Sequence, residues 1–270
     1  MATDTVFSNT AAVDNGRFLT QIFVGHKTLV TDVYIMRTEA EFLTTLQDNV
    51  RERGAMDKLL SDRAQVEISN KVKDYLRQYH IQEWQSEPYH EHQNPAERRY
   101  QMVKKYVNVI LDRTGAPPET WFLCMQYVCF VLNRTFVANL ETTPLQALTG
   151  QTQDISILLP FYFWEPVYFA TADALSYNTS VNFPSDSAEG SGHFVGFGDT
   201  VGNSMTFKVL TTDTNKFLYR SSVRSAINTP ANLRAALPTD EDKETEKDEL
   251  EEIQEIGLGT SLPVCDSRTK

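Results

Sequence analysis

The order in which β-branched runs and helical periodicities follow one another most constrains what this chain can fold into. Phe18 to Gly25 and Leu29 to Met36 are β-branched and aromatic runs separated by a Gly-His-Lys turn, which reads as an antiparallel hairpin. Thr38 then precedes Glu39, Glu41, Phe42, Leu46 and Val50 at helical spacing. Acidic residues fall in the first turn, and Arg51, Arg53 and Gly54 close the helix as the dipole and cap preferences require. Lys58 to Ser61 reads as a short strand ending at Asp62, Ser69 to Tyr79 as an amphipathic helix, and Ile81 to Ser86 as a further strand. After the polar stretch Glu87 to Gln93, Asn94 and Pro95 start a helix running to about Thr114, with proline where its missing N–H costs nothing. Pro117 and Pro118 begin another helix, the apolar run Trp121 to Leu132.

With a first strand around Asp4, three early strands are followed by alternating helices and short strands. That order predicts an α/β layer of the ribonuclease H-like kind over residues 1–160: a mixed five-stranded sheet flanked by helices. Beyond Pro160 the texture changes to short aromatic and β-branched runs, Phe161 to Ala170, Gly192 to Gly198, Met205 to Thr211 and Lys216 to Val223. Gly198 to Asn203 and Thr212 to Asn215 supply turns, so residues 161–227 are expected to form a small all-β module, a barrel or curled sheet. Residues 228–270 read as a disordered acidic tail or linker. From Pro238 to Ile256 there are ten acidic residues against Lys243 and Lys247, with few apolar groups to offset the entropy of ordering.

The formal net charge of −11 by itself argues against a nucleic-acid partner, but that stretch carries −8 and residues 1–237 carry only −4. Cys124, Cys129 and Cys265 are an odd set, two of them inside an apolar run, which suits reduced thiols better than a disulfide framework. No basic segment followed by an apolar stretch opens the chain, so an intracellular protein is expected, in the nucleus or a cytoplasmic particle. Trp121 to Leu132 is too short for a bilayer and contains Gln126, which points to a buried helix and no membrane contact.

Transferring a phosphodiester needs divalent cations held by carboxylates, and magnesium prefers hard oxygen ligands from separate elements. Asp4 on the first strand, Asp62 at the end of the fourth and Glu97 in the first turn of the helix after the fifth can meet at one sheet edge. His90, Glu91 and His92 read as a solvated loop beside that site and not as ligands. With Arg98, Arg99, Lys104, Lys105 and Arg113 against Glu97 and Asp112, the helix after Asn94 carries a local +3. For Arg98, Arg99 and Lys105, DNA contact and an ordinary solvated face both stay open.

Asp4, Asp62 after 57 intervening residues and Glu97 after 34 more together resemble the Asp, Asp, Glu triad of retroviral and retrotransposon integrases. The words around them look like copia-type long-terminal-repeat elements: Leu-Leu-Ser-Asp before the second acid, and Glu87 to Arg99 around the third. Thr143 to Gly150, Phe163 to Tyr168 and the glycine-turned Gly192 to Arg224 are similar to later parts of the same elements, so the resemblance covers about residues 1–226. It implies DNA integration by a polynucleotidyl transferase: Asp4 and Asp62 bridge or share the metals, Glu97 completes the shell of the second metal, and two Mg²⁺ (or Mn²⁺) ions act on element DNA ends and target DNA within a homo-oligomer. The family carries basic residues four and seven positions after the glutamate; Lys104 matches and Gln101 does not. Arg63 stands where asparagine is common. Asp4 lies three residues from the start and a preceding zinc-binding domain is missing, which suggests an N-terminally truncated core. The alternative is therefore a catalytically inactive nucleic-acid-binding remnant.

Overall fold

The computed structural model describes residues 1–14, 16–61, 69–85, 94–171, 187–198, 200–227 and 229–235. Strands β1 (Ala2–Phe7), β2 (Leu19–Val24) and β3 (Thr31–Met36) form an antiparallel meander, in which β2 and β3 are the hairpin that the early β-branched runs predict. Helix α1 (Phe42–Arg53), entered through a single turn of tighter helix at Glu39–Glu41, then carries the chain across the sheet, so β4 (Lys58–Ser61) returns parallel to β1. Helix α2 (Asn70–Gln78) does the same for β5 (Gln82–Gln85), giving the order β3-β2-β1-β4-β5. Helices α3 (Pro95–Thr114), α4 (Trp121–Arg134) and the short α5 (Pro144–Thr149) follow. This is the mixed five-stranded, ribonuclease H-like layer expected from the alternation of elements.

The period-two alternation of β2 divides the core between the two faces of the sheet. Phe23 points to one side with Phe42, Leu46, Leu59, Val72, Leu76 and Ile81, where α1 and α2 pack. Ile22 and Val24 point to the other with Ala96, Val103, Val107 and the apolar side of α4. Each fully buried large side chain contributes about 1.5–3 kcal/mol, and Phe23, Phe42 and Leu46 are all at 0–1% exposure. The apolar run Trp121 to Leu132 is therefore a core helix. Among the described residues no helix is long and apolar enough to cross a membrane.

The second sheet is antiparallel: β6 (Pro166–Ala170), β7 (Glu189–Phe197), β8 (Phe207–Thr211), β9 (Phe217–Arg220) and β10 (Val223–Ser225). The sequence reads Lys216 to Val223 as one strand, but the chain bends at Ser221 and Ser222. Its first half pairs with β8 and its second with β6, so the sheet closes into a small barrel. Phe161 to Glu165, expected to be strand, is instead an irregular entry in which Trp164 takes a positive φ of 66°. Two glycines shape the barrel. Gly196 sits at a bulge in β7 with φ 154°, and a Cβ on Gly192 would lie 2.5 Å from the Leu210 carbonyl oxygen. The barrel packs on α4, where Phe197 stacks on Tyr127 and Phe130.

Residues 229–235, which the sequence assigns to the tail, lie against the barrel. Arg224 makes a two-pronged ion pair with Glu189 (2.6 and 2.7 Å) and also donates to the Pro230 carbonyl, while Asn232 donates to Glu189 Oε2 at 2.8 Å. The Arg224 guanidinium, helped by Asn232, holds the Glu189 carboxyl down at about 2 against the opposing push of burial. A depressed carboxylate contributes stability that is full above its ordinary pKa near ~4.3 and lost as pH falls through about 2. Glu189→Gln should therefore lower the melting temperature by a constant amount from pH 5 to 8, and the two proteins should converge toward pH 2. A difference that persisted unchanged at pH 2 would show that this clasp does not titrate. Residues 236–270, including the acidic stretch from Pro238, lie outside the described residues.

Candidate active site

Helix α3 starts where it does because Asn94 caps it: its side-chain oxygen accepts from the Ala96 N–H at 3.0 Å, with Pro95 at the first helical position. The same side chain has a second task that the sequence does not announce. Its Nδ2 donates to the Thr3 carbonyl on β1 at 3.1 Å, and Asn94 is only 2% exposed. One buried amide thus pins the start of α3 to the residue before Asp4. Glu97 follows in the first turn, half-buried, and Tyr100 one turn further lies close enough to Asp4 that burial and then the aspartate's charge raise its phenol pKa. Asp4 and the first turn of α3 therefore share one side of the sheet. The third acid of the expected set, Asp62, follows directly after Ser61 at the end of β4 and lies outside the described residues, as do Arg63, His90, Glu91 and His92.

Metal-binding chemistry suits these donors: Asp4 and Glu97 offer hard carboxylate oxygens, the donor type magnesium prefers, from a strand and a helix. Among the described residues no group of three or more His, Cys, Asp or Glu side chains stands close enough to hold an ion. Asn94→Ala should cost about 1–2 kcal/mol through removal of the cap and cross-link. Asn94→Asp keeps the cap and turns the Thr3 interaction into a repulsion. Denaturant midpoints of the two variants should fall together, and equal midpoints for wild type and both variants would remove Asn94 from this role.

The basic residues of α3 divide. Arg98, Lys104 and Lys105 are exposed, and none has an ion-pair partner among the described residues; Lys104 Nζ lies 6.0 Å from the Tyr100 ring. Gln101 is exposed and reaches Glu97 only at 3.5 Å. Arg99 departs from the expected DNA contact. It is 8% exposed, donates to Thr31 Oγ1 at 2.9 Å, and belongs to the buried stripe Ala96, Arg99, Val103 and Val107. Cys124 and Cys129 are buried free thiols. Burial pushes Cys124 up to about 12 and raises Cys129 as well, which removes both from nucleophilic chemistry.

No protein-family model matches the chain, and no curated protein matches it. Among solved structures it is similar to a chain of the simian T-cell lymphotropic virus intasome in complex with the PP2A regulatory subunit B56 gamma. That match has 11% identity and a TM-score of 0.48, over 85% of this chain and 78% of that one. It is also similar to the HTLV-2 integrase catalytic core domain in complex with magnesium (14% identity, TM-score 0.45, 54% and 93% coverage). A third is the BIV integrase catalytic core domain (14% identity, TM-score 0.42, 55% and 92% coverage).

Proposed function

We propose that this chain is an integrase-like polynucleotidyl transferase of the copia type, which joins element DNA ends to target DNA. The observation that carries the reading is the Asn94 clip, which holds the Glu97 turn of α3 on β1 next to Asp4. In this reading Asp4, Asp62 and Glu97 hold the divalent cations. Bound there, Mg²⁺ or Mn²⁺ supplies Lewis acidity at the attacking and leaving oxygens of an in-line displacement. The chain's own work is to fix the carboxylates on rigid elements and to hold the backbone phosphates in line with Arg98, Lys104 and Lys105, while Arg99 serves packing. Residues 1–160 act as the core and 161–227 as its companion module, within a homo-oligomer in the nucleus or a cytoplasmic particle.

The test is joining of labelled DNA ends to a plasmid in Mg²⁺ or Mn²⁺. Joined products that vanish on chelation are expected, and DNA binding without joining in either metal would overturn the catalytic reading in favour of a binding remnant. Replacing Lys104 and Lys105 together by Ala should weaken binding and flatten the slope of log affinity against log salt, by up to about one unit for each phosphate no longer neutralised. Arg99→Ala should leave that slope unchanged. An unchanged slope in the double variant as well would move the DNA to another surface.

A further inference from the structure

Away from Asp4 on the central strand β1, at the β3 edge of the sheet, β3 and α1 face α4 and the barrel across a cleft of about 290 Å³. A second cleft adjoins it, and both are lined by Val33, Tyr34, Gln126 and Lys208. Gln126 is the one polar residue within the apolar run Trp121 to Leu132. Its exposed amide makes no hydrogen bond among the described residues. Lys208 on β8 stands opposite Tyr219 on β9, which places the two side chains on one face about 5 Å apart at Cβ. The Lys208 ammonium lies 4.6 Å from the Phe217 ring and has no ion-pair partner among the described residues; burial lowers its pKa and Asp14 raises it. Tyr219 is 37% exposed and lines the first cleft.

Charge decides which cleft suits an anion. In the first, Asp32 is neutralised by Arg53, and Glu52 alone stands against Arg134 and Lys208, so the lining carries one net positive charge. The second adds Asp14, Glu41 and Asp48 against Arg17, and is acidic. From this geometry we infer that the first cleft binds a nucleotide, with its phosphate on Lys208, its base against Tyr219 and the base edge read by Gln126. A compact ammonium takes phosphate as a point charge, an exposed ring stacks any base, and a free amide offers both donor and acceptor to a base edge. With β2 between them, β3 lies two strand spacings from β1, which puts this cleft roughly 10 Å or more from Asp4, so its occupant is additional to any DNA at the candidate active site.

The nucleotide can arrive free or as the unpaired end of a strand, and fluorescence polarisation with labelled dAMP, a labelled ten-nucleotide single strand and a blunt duplex separates these sources. Lys208→Gln should weaken binding at least tenfold and Tyr219→Ala about fivefold or more, while Lys208→Arg retains it. The Lys104→Ala, Lys105→Ala protein should bind dAMP as wild type does, so this test succeeds or fails independently of DNA joining. Binding of dAMP supports a free ligand; binding of the single strand alone, abolished in Lys208→Gln, supports a strand end. Should Lys208→Gln fail to fold, Tyr219→Ala against Lys208→Arg decides. Equal affinities across the variants, or no binding of either probe, would overturn the assignment.

Discussion

Glu97→Gln should abolish metal-dependent joining of DNA ends while leaving the fold and DNA affinity nearly unchanged. Glutamine keeps the shape and removes the anionic ligand. Changing a group that only supports a metal ligand costs about 10–100-fold, so loss of a ligand itself should exceed ~10²-fold in rate. Little of the fold depends on this carboxylate, since Glu97 is half-buried and its one hydrogen bond among the described residues is a long 3.5 Å one from Gln101. Its remaining contribution is the favourable position of a negative charge in the first turn of α3, about 0.3–1 kcal/mol. Asp4→Asn should behave alike. Single-turnover joining rates beside melting curves check both, and a variant with wild-type rates would exclude its residue from the metal site.

The largest stability effect is expected at Asp32→Ala, and its size follows from burial. Asp32 is 8% exposed on β3 and takes two bonds from Arg53 at the end of α1, at 2.7 and 2.9 Å. That fork holds the last turn of α1 against the edge strand of the sheet. Removing one member of a buried pair costs about 3–5 kcal/mol because the other charge stays behind. Arg53 keeps 26% side-chain exposure and can reach water in the variant, so the lower end, about 3 kcal/mol, is expected. Against a total stability of ~5–15 kcal/mol that is a large fraction. The exposed pairs Asp48–Arg51 and Asp74–Arg77 should be worth under about 1 kcal/mol by the same measurement. Urea midpoints would decide, and an Asp32→Ala shift no larger than that of Asp74→Ala would mean the fork adds nothing.

The hairpin of β2 and β3 was legible because β-branched runs bounded by turn residues leave few alternatives, and Lys58–Ser61 and Pro95–Thr114 have the expected bounds. The closure of the barrel was not, because a bend at two serines carries no periodic signature and pairing partners lie far apart in sequence. Glu97 could be placed in its first turn from Asn94 and Pro95 alone. The second bond of Asn94, to Thr3 across 91 residues, could not, since nothing local distinguishes a cap that also reaches a strand. Arg99 shows how charge counting misleads. The spacing of Ala96, Arg99, Val103 and Val107 marks a buried helical stripe, and that periodicity outweighs the charge of its one polar member. Lys208 and Gln126 drew no functional reading because neither stands in a motif; only the packing of the barrel on α4 brings them to one cleft.

The most direct test of the central claim is anomalous diffraction from crystals of the protein soaked in Mn²⁺. A manganese peak within about 2.0–2.3 Å of carboxylate oxygens of both Asp4 and Glu97, absent from Glu97→Gln crystals, is the predicted result. Well-ordered Asp4 and Glu97 carboxylates too far apart to share an ion, with no manganese between them at saturating concentration, would contradict it.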